Sequence, residues 1–386
     1  MDIWAFKEVL DGRKLCKACI ERLVPKRWRR FLEETNPEDC WLCEGLSKEI
    51  DEFARLVEKK LKGYEFSTFL IGSKIDEEIV EKEENITRKA GIKRYIDIKT
   101  WVNREVEKIL SKKLGKSVSY ENPEITAIID TRFNHVTLQV SPLYIYGRYI
   151  KKVRGIPQTK WPCRICKGIG CRRCNFTGKT YQTSVEEIIA EKVLEATGGE
   201  SESFHGCGRE DIDARMLGEG RPFVLEIKNP KIRNIDLGEL EKEINAFAQG
   251  KVEVRGLRFS NKEEVVRLKK ATFPKVYHAK IIAEKEIPEE KLKEVVDSLR
   301  GITIKQFTPS RVAHRRALKT REKRIMECKV MEVKGKEALI EILAESGTYI
   351  KEFVSGDEGR TRPSLSELLG IPCKVEALDV VAVRGE

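Results

Sequence analysis

Eight of the eleven cysteines fall in four Cys-x-x-Cys pairs, and no other feature restricts the fold as much. Cys16-x2-Cys19 and Cys40-x2-Cys43 are separated by 20 residues, while Cys163-x2-Cys166 and Cys171-x2-Cys174 are only four apart. Zinc takes four thiolates at about 2.3 Å in a tetrahedron, and two tight knuckles supply two ligands each. A redox pair would be a single Cys-x-x-Cys beside a βαβ pattern, which the chain lacks. The first tetrad is therefore expected to hold a structural zinc. In the second, Gly168 and Gly170 permit the sharp turns two adjacent knuckles need, so a second zinc can sit there. The short spacing leaves open whether all four ligands share one metal.

The remaining composition bounds the class. A chain of 386 residues has room for roughly two to four domains and at least one sizeable core. Lys and Arg number 74 against 63 Asp and Glu, a formal charge of +11. That favours a polyanionic partner, although charge this abundant in both signs also suits surface ion-pair networks. No window approaches a membrane span, and the N-terminal stretch is amphipathic and acidic, unlike a signal peptide. A cytoplasmic protein without membrane contact is expected, and cysteines paired for metal agree with that compartment.

Along the chain, Ile50, Phe53, Ala54, Val57 and Leu61 follow helical spacing, as do Ile98, Val102, Val106, Ile109 and Leu110. Ser67 to Ile71, Ile125 to Ile129 and the alternating Val136, Leu138 and Val140 read as strands. Residues 45–150 thus form an α+β unit, preceded by a zinc-binding segment at 1–44 and followed by a four-cysteine linker at 151–180. The aromatic and basic mixture Tyr144 to Lys152 suits RNA, and it suits a core strand equally. Ser184-x-x-Glu187 is a capping box opening a helix that closes at Gly198. From 181 to 386 helices and strands mix without βαβ spacing or glycine-rich turns, which predicts an α+β domain with a mostly antiparallel sheet.

Two stretches carry chemistry. Arg311 to Arg324 holds seven Lys or Arg and one acidic residue, and the guanidinium fork of Arg311, Arg315 and Arg316 matches phosphate oxygens. A solvated hairpin is the alternative. Gly208-Arg209-Glu210-Asp211-Ile212-Asp213-Ala214-Arg215 crowds carboxylates and arginines just ahead of an apolar strand at Pro222 to Ile227. Such a group can be a structural ion pair or the edge of a reactive cleft.

Three segments resemble the recurring motifs of pseudouridine synthases: Arg209-Glu210-Asp211, Lys275-Val276-Tyr277 and Gly347-Thr348-Tyr349-Ile350-Lys351. The resemblance implies that Asp211 is the catalytic aspartate, that Tyr277 stacks on the target base and that Lys351 pairs with the aspartate. Tyr349 and Ile350 then flank the base, Leu378 lies beneath the pocket, and Arg209 helps hold the carboxylate ionised. Asp213 remains the alternative nucleophile. With the cysteine-paired N-terminus, the THUMP-like unit and the Gly155 to Cys163 junction, the whole chain is similar to archaeal tRNA pseudouridine synthases of the tenth Pus class. That family acts on the T-arm of tRNA, at conventional positions 54 and 55. The knuckle at Cys163 to Cys174 also resembles one repeat of the DnaJ zinc region, which uses four such repeats, so a chaperone is set aside.

The chemistry agrees with these residues. Converting an N-glycosidic to a C-glycosidic uracil breaks the bond to C1′, rotates the base and lets carbon attack, with no net redox change. One carboxylate suffices as nucleophile or base, so no catalytic cofactor is expected. A uridine within folded RNA must be flipped out, and an aromatic face can hold it. The expected partner is tRNA, with no obligate protein partner. Another THUMP-bearing RNA enzyme would need a nucleotide or methyl-donor loop, and neither Gly-x-Gly-x-x-Gly after a strand nor a P-loop occurs. A zinc-stabilised RNA-binding adaptor is the non-enzymatic alternative.

Overall fold

The computed structural model describes residues 3–385, apart from the side chain of Arg315. The chain divides into two compact units. One comprises the residues up to Pro142 with Thr197–Glu200 and Lys228–Asn234, and the other comprises Leu143–Ala196, Ser201–Ile227 and the chain from Ile235 onward.

In the first unit a short parallel pair, β1 (Leu15–Cys16) and β2 (Glu34–Thr35), accompanies the first cysteines. The apolar positions Ile50, Phe53, Ala54, Val57 and Leu61 form the buried stripe of helix Ile50–Leu61. Helix Ile98–Leu114 opens on Asp97, whose carboxylate accepts from the Thr100 N–H at 2.8 Å, and stops at Gly115 in the left-handed conformation. It packs on β3 (Thr68–Lys74) in a four-stranded sheet of order β4-β3-β5-β6, where β4 is Ser117–Val118, β5 Ile125–Asp130 and β6 His135–Val140.

The boundary expected between residues 44 and 45 is absent. One apolar core runs from Ile3 and Phe6 through Cys19 and Cys43 to Phe53, Val102 and Val136. A buried ion pair between Arg22 and Glu83 also ties the cysteine segment to helix Glu77–Lys89, and Glu83 accepts from the Ile98 N–H at 2.9 Å. The cysteine knuckles share one core with the α+β unit.

The second unit is built on a ten-stranded sheet. Its strands are β7 (Leu143–Lys151), β8 (Ser201–Gly206), β9 (Arg215–Lys228), β10 (Val252–Ser260), β11 (Lys275–Ala283), β12 (Thr303–Phe307), β13 (Thr320–Lys334), β14 (Glu337–Ala344), β15 (Thr361–Arg362) and β16 (Cys373–Val383). The order is β10-β7-β9-β16-β11-β14-β13-β12-β15, with β8 on β9. Along that path every pairing is antiparallel except β16 against β9, which is parallel and spans only Asp379 with Arg215 and Val380 with Met216.

The expected boundary at residue 150 therefore moves to 142, because Leu143–Lys151 is hydrogen-bonded between β9 and β10. The aromatics of that strand are core: Tyr149 is fully buried, and the Arg148 guanidinium donates to the Glu219 and Gly220 carbonyls. The expected four-cysteine linker belongs to this unit too. The helix after it is capped by Ser184, whose hydroxyl accepts from the Glu187 N–H at 3.2 Å; the Glu187 carboxylate meets that hydroxyl at 2.8 Å rather than the Ser184 backbone N–H of a full capping box. Among the described residues no helix is long and apolar enough to cross a membrane.

Candidate active site

The loop from Cys207 to Ala214 enters β9 where the sheet is thinnest, at the short parallel contact with β16. Its alternation sets the geometry. Glu210 turns inward with a fully buried carboxylate, Asp211 is partly exposed and Asp213 is largely exposed. Glu210 Oε2 accepts from the Tyr149 hydroxyl at 2.7 Å and from Arg221 Nε at 3.0 Å, while Oε1 lies 3.6 Å from Lys151 Nζ.

The cations of that cluster also hold the loop backbone. Arg221 Nη1 donates to the Cys207 carbonyl at 2.8 Å, and Lys151 Nζ donates to the Asp211 carbonyl at 3.2 Å. Gln158 Nε2 donates to the Tyr149 oxygen at 2.8 Å and to the Gly208 carbonyl at 2.9 Å. Gly208 is left-handed at φ 73°, and a Cβ there would press on Arg221 Nη1 at 3.3 Å. Burial pulls the Lys151 pKa below its ordinary value against the opposing charge of Glu210, and burial pushes the Tyr149 phenol well up.

Beside this loop opens a cavity of about 490 Å³. Strand register supplies its floor: Tyr277 pairs with Val380 and Ala279 with Leu378, so Tyr277, Leu378 and Val380 share one face of β11 and β16. Ile350 starts the helix Ile350–Ser355, which follows β14, and like Tyr277 and Leu378 it is buried. Burial, helped by Asp211 and opposed by Arg221, pushes the Tyr277 phenol up to about 12, so it stays protonated as an apolar face with a hydroxyl donor. The segment before Ile350 is fixed by a reciprocal pair, Tyr349 N–H to Gln306 Oε1 at 2.9 Å and Gln306 Nε2 to the Tyr349 carbonyl at 3.0 Å. Arg209, Asp211, Arg311, Arg316, Tyr349 and Lys351 also line the cavity. Arg315 sits in the short 3₁₀ turn Ser310–Arg315, and its side chain lies outside the described residues.

The carboxylates and cations do not pair as the resemblance implies. Lys351 Nζ donates to both oxygens of Asp213, at 2.6 and 2.8 Å, and lies 3.6 Å from Asp211. Asp211 Oδ2 instead meets Arg311 Nη1 at 3.0 Å. Partial burial works against the charge of Asp213, but the hydrogen bonds and attraction of Lys351 outweigh it and hold its pKa below the usual value. The other wall of the loop is tied down by Arg154, which donates to the Asp213 carbonyl at 2.9 Å and the Leu378 carbonyl at 2.7 Å, and by Asp379, which accepts from both Arg154 and Arg215.

Of the residues singled out in the sequence, Asp211, Tyr277, Lys351, Ile350, Tyr349, Leu378, Arg209, Arg311 and Arg316 all border this cavity. Sequence reasoning missed Glu210, Arg221, Lys151, Tyr149 and Gln158, whose work is done behind the loop. The one sequence signal for them was a charged pair, Glu210 and Arg221, on either side of a strand start.

Each cysteine tetrad gathers its four sulfur atoms within 4.8 Å of one another. A tetrahedron with about 2.3 Å metal–sulfur bonds has sulfur–sulfur edges of about 3.8 Å. Cys16 to Cys43 at 3.7 Å, Cys163 to Cys171 at 3.9 Å and Cys166 to Cys174 at 3.8 Å match that edge. Backbone N–H groups of Cys16, Gly170 and Cys171 donate to Cys40, Cys166 and Cys174 sulfurs, each at 3.2 Å, as suits thiolate ligands. Both tetrads could bind zinc.

The family described as Pus10, C-terminal matches residues 144–384, and the one described as Pus10 THUMP domain, archaeal matches residues 53–130. Proteins named tRNA pseudouridine synthase Pus10 align along most of the chain. The one from Methanothermobacter marburgensis is 47% identical over 396 residues, covering 98% of this chain and 97% of its own. That from Methanothrix thermoacetophila is 45% identical over 377 residues, covering 97% and 83%. Among solved structures, a Cbf5-Nop10-Gar1 complex aligns with 52% of this chain and 45% of its own at 17% identity, with a TM-score of 0.32.

Two outcomes follow from the cluster behind the loop. Glu210→Ala leaves Arg221 and Lys151 buried without their counter-charge and should cost about 3–5 kcal/mol in urea denaturation. Lys275 is drawn by burial, and secondly by Arg221, down to about 8 from its ordinary 10.5. Between those values the unfolded chain keeps a proton that the folded chain has lost, so stability gains a rising contribution with pH there. Denaturation midpoints measured from pH 7 to 11 should show wild type gaining on Lys275→Met across that window.

Proposed function

The chain belongs to the Pus10 family of tRNA pseudouridine synthases, and from that premise we propose that it isomerises uridines 54 and 55 in the T-arm of tRNA with Asp211 as the catalytic carboxylate. The observation that carries the assignment of Asp211 is its place in the wall of the large cavity beside Tyr277, between two cations. Asp213 borders the smaller recess on the other side of the loop, with both its oxygens engaged by Lys351.

In this reading the flipped uridine lies over Tyr277, with Ile350 and Leu378 as apolar walls. As nucleophile, Asp211 bonds to C1′ as the N1–C1′ bond breaks and uracil leaves as its anion; as base, it takes the C2′ proton and returns it later. The freed uracil turns within the cavity and C5 bonds to C1′ as the Asp211–C1′ bond breaks or C2′ regains its proton, after which the C5 proton passes to solvent and N1 takes one up. The phenol of Tyr277 supplies a face and a hydroxyl at constant charge. Water is kept from the broken glycosidic bond by the buried floor. Arg209, Arg315 and Arg316 take phosphates of the strand that enters the cavity.

Zinc in each tetrad is part of the same reading, with Cys16, Cys19, Cys40 and Cys43 holding one ion and Cys163, Cys166, Cys171 and Cys174 the other. Their role is to fix knuckles, and no reaction step needs them. The enzyme is expected to act on tRNA alone, in the cytoplasm, without an obligate protein partner.

Asp211→Ala should abolish pseudouridine formation on an unmodified tRNA transcript while tRNA binding persists, as read by position-resolved pseudouridine mapping and a filter-binding titration. Full activity of this variant sinks the assignment of Asp211, and modification outside positions 54 and 55 sinks the T-arm specificity. Elemental analysis of the purified protein should give two zinc ions per chain, falling to one in Cys163→Ser. One ion in wild type that is unchanged in Cys163→Ser would exclude metal at the second tetrad.

A further inference from the structure

We infer that Arg311, held in turn by Glu352, is the cation that positions Asp211, and that Lys351 instead serves Asp213. This rests on Asp211 as the catalytic carboxylate. Arg311 is a bridge with both ends engaged. Its Nη1 lies 3.0 Å from Asp211 Oδ2, and the opposite edge of the guanidinium meets Glu352, with Nε to Oε1 at 2.6 Å and Nη2 to Oε2 at 3.3 Å. Gripped on one edge by a carboxylate, the planar fork keeps its remaining nitrogen beside Asp211 as an ion pair.

Glu352 is suited to that task. Its side chain is only 6% exposed, and it lies on the helix Ile350–Ser355 that also provides Ile350 to the cavity wall. The pair therefore connects three separate pieces of chain: the loop before β9, the 3₁₀ turn Ser310–Arg315 and the helix after β14. Partial burial disfavours the charge on Arg311, yet hydrogen bonds to Glu352 and Asp211 raise its pKa above the usual arginine value, so the bridge stays cationic. Lys351 is the more distant of the two cations at Asp211. Its ammonium is committed to both oxygens of Asp213, and its 3.6 Å approach to Asp211 is beyond hydrogen-bond length.

A phosphate contact by Arg311 is the competing role, because the residue opens the basic segment 311–324. The two roles differ in what they cost. A positioning cation acts on the chemical step, whereas a phosphate contact contributes equally to bound substrate and transition state. The test is kcat and KM for pseudouridine formation on unmodified tRNA, with the salt dependence of tRNA binding, for Arg311→Gln, Glu352→Gln, the double variant, Arg311→Lys and Asp211→Asn.

Positioning predicts that Arg311→Gln lowers kcat by about 100-fold with KM unchanged. Glu352→Gln should also lower kcat, and the double variant should be no worse than Arg311→Gln, since both act along one path. Arg311→Lys, which keeps a charge but cannot bridge, should fall between. A raised KM with intact kcat and a salt slope reduced by about 1 would make Arg311 a phosphate ligand and overturn the proposal. So would additive losses in the double variant or an unaffected Glu352→Gln. Thermal melts identify any variant that fails to fold, and Glu352→Asp then replaces Glu352→Gln, with a kcat loss expected from its shorter reach. Activity of Asp211→Asn would instead remove the premise, a failure distinct from those outcomes.

Discussion

A carboxylate sealed away from water, with two cations and a phenol around it, is the contact on which the second unit depends. Glu210 has no exposed side-chain surface, and neither do Arg221 and Lys151. A buried charge is tolerable only when its partners and their remaining donors are satisfied. Here several of those donors meet carbonyls of the loop itself, at Cys207, Asp211 and Ile212, with Gln158 closing on Gly208, while Glu210 Oε1 and Arg221 Nη2 are left without a hydrogen bond. The desolvation cost is thus offset in part by the same bonds that fix the loop, and the residue following Glu210 inherits that rigidity.

Above the cluster, charge is distributed by exposure. The carboxylates at 210, 211 and 213 pass from buried to partly exposed to largely exposed, and each has its own cation: Arg221, Arg311 and Lys351. A polar site with every carboxylate countered resists the repulsion that three acids within four residues would otherwise create. The short parallel contact between β9 and β16 leaves the sheet open at this point, and Arg154, Arg215 and Asp379 close it with side-chain bonds where backbone pairing ends.

The metal sites follow a different logic, since their ligands are local. In the second tetrad Gly178 is left-handed at φ 70°, and a Cβ there would lie 2.3 Å from the Gly168 carbonyl oxygen, so the knuckles close only with glycine. In the first, the cysteines are buried in a core shared between their own segment, through residues such as Phe6, Ile20 and Leu42, and the α+β unit.

Local pattern was enough for much of this. Helical spacing identified Ile50–Leu61 and Ile98–Leu114, the capping box marked the helix after Ser184, and cysteine spacing grouped both tetrads, because each depends on residues a turn or a knuckle apart. Motif order also placed Asp211, Tyr277, Lys351 and Leu378 around one cavity. What the sequence could not decide was the assignment of Tyr144 to Lys151 to the large sheet, since aromatics in a strand look alike in a core and on an RNA surface. Nor could it decide which cation meets which carboxylate. Lys351 and Asp213 are 138 residues apart, and a difference of about an ångström between the approach of Lys351 to Asp213 and to Asp211 separates a hydrogen bond from a neighbour. Residue chemistry and short-range spacing were determined by the sequence alone; the pairing of charges was settled by tertiary structure, because it depends on how three distant backbone segments are held.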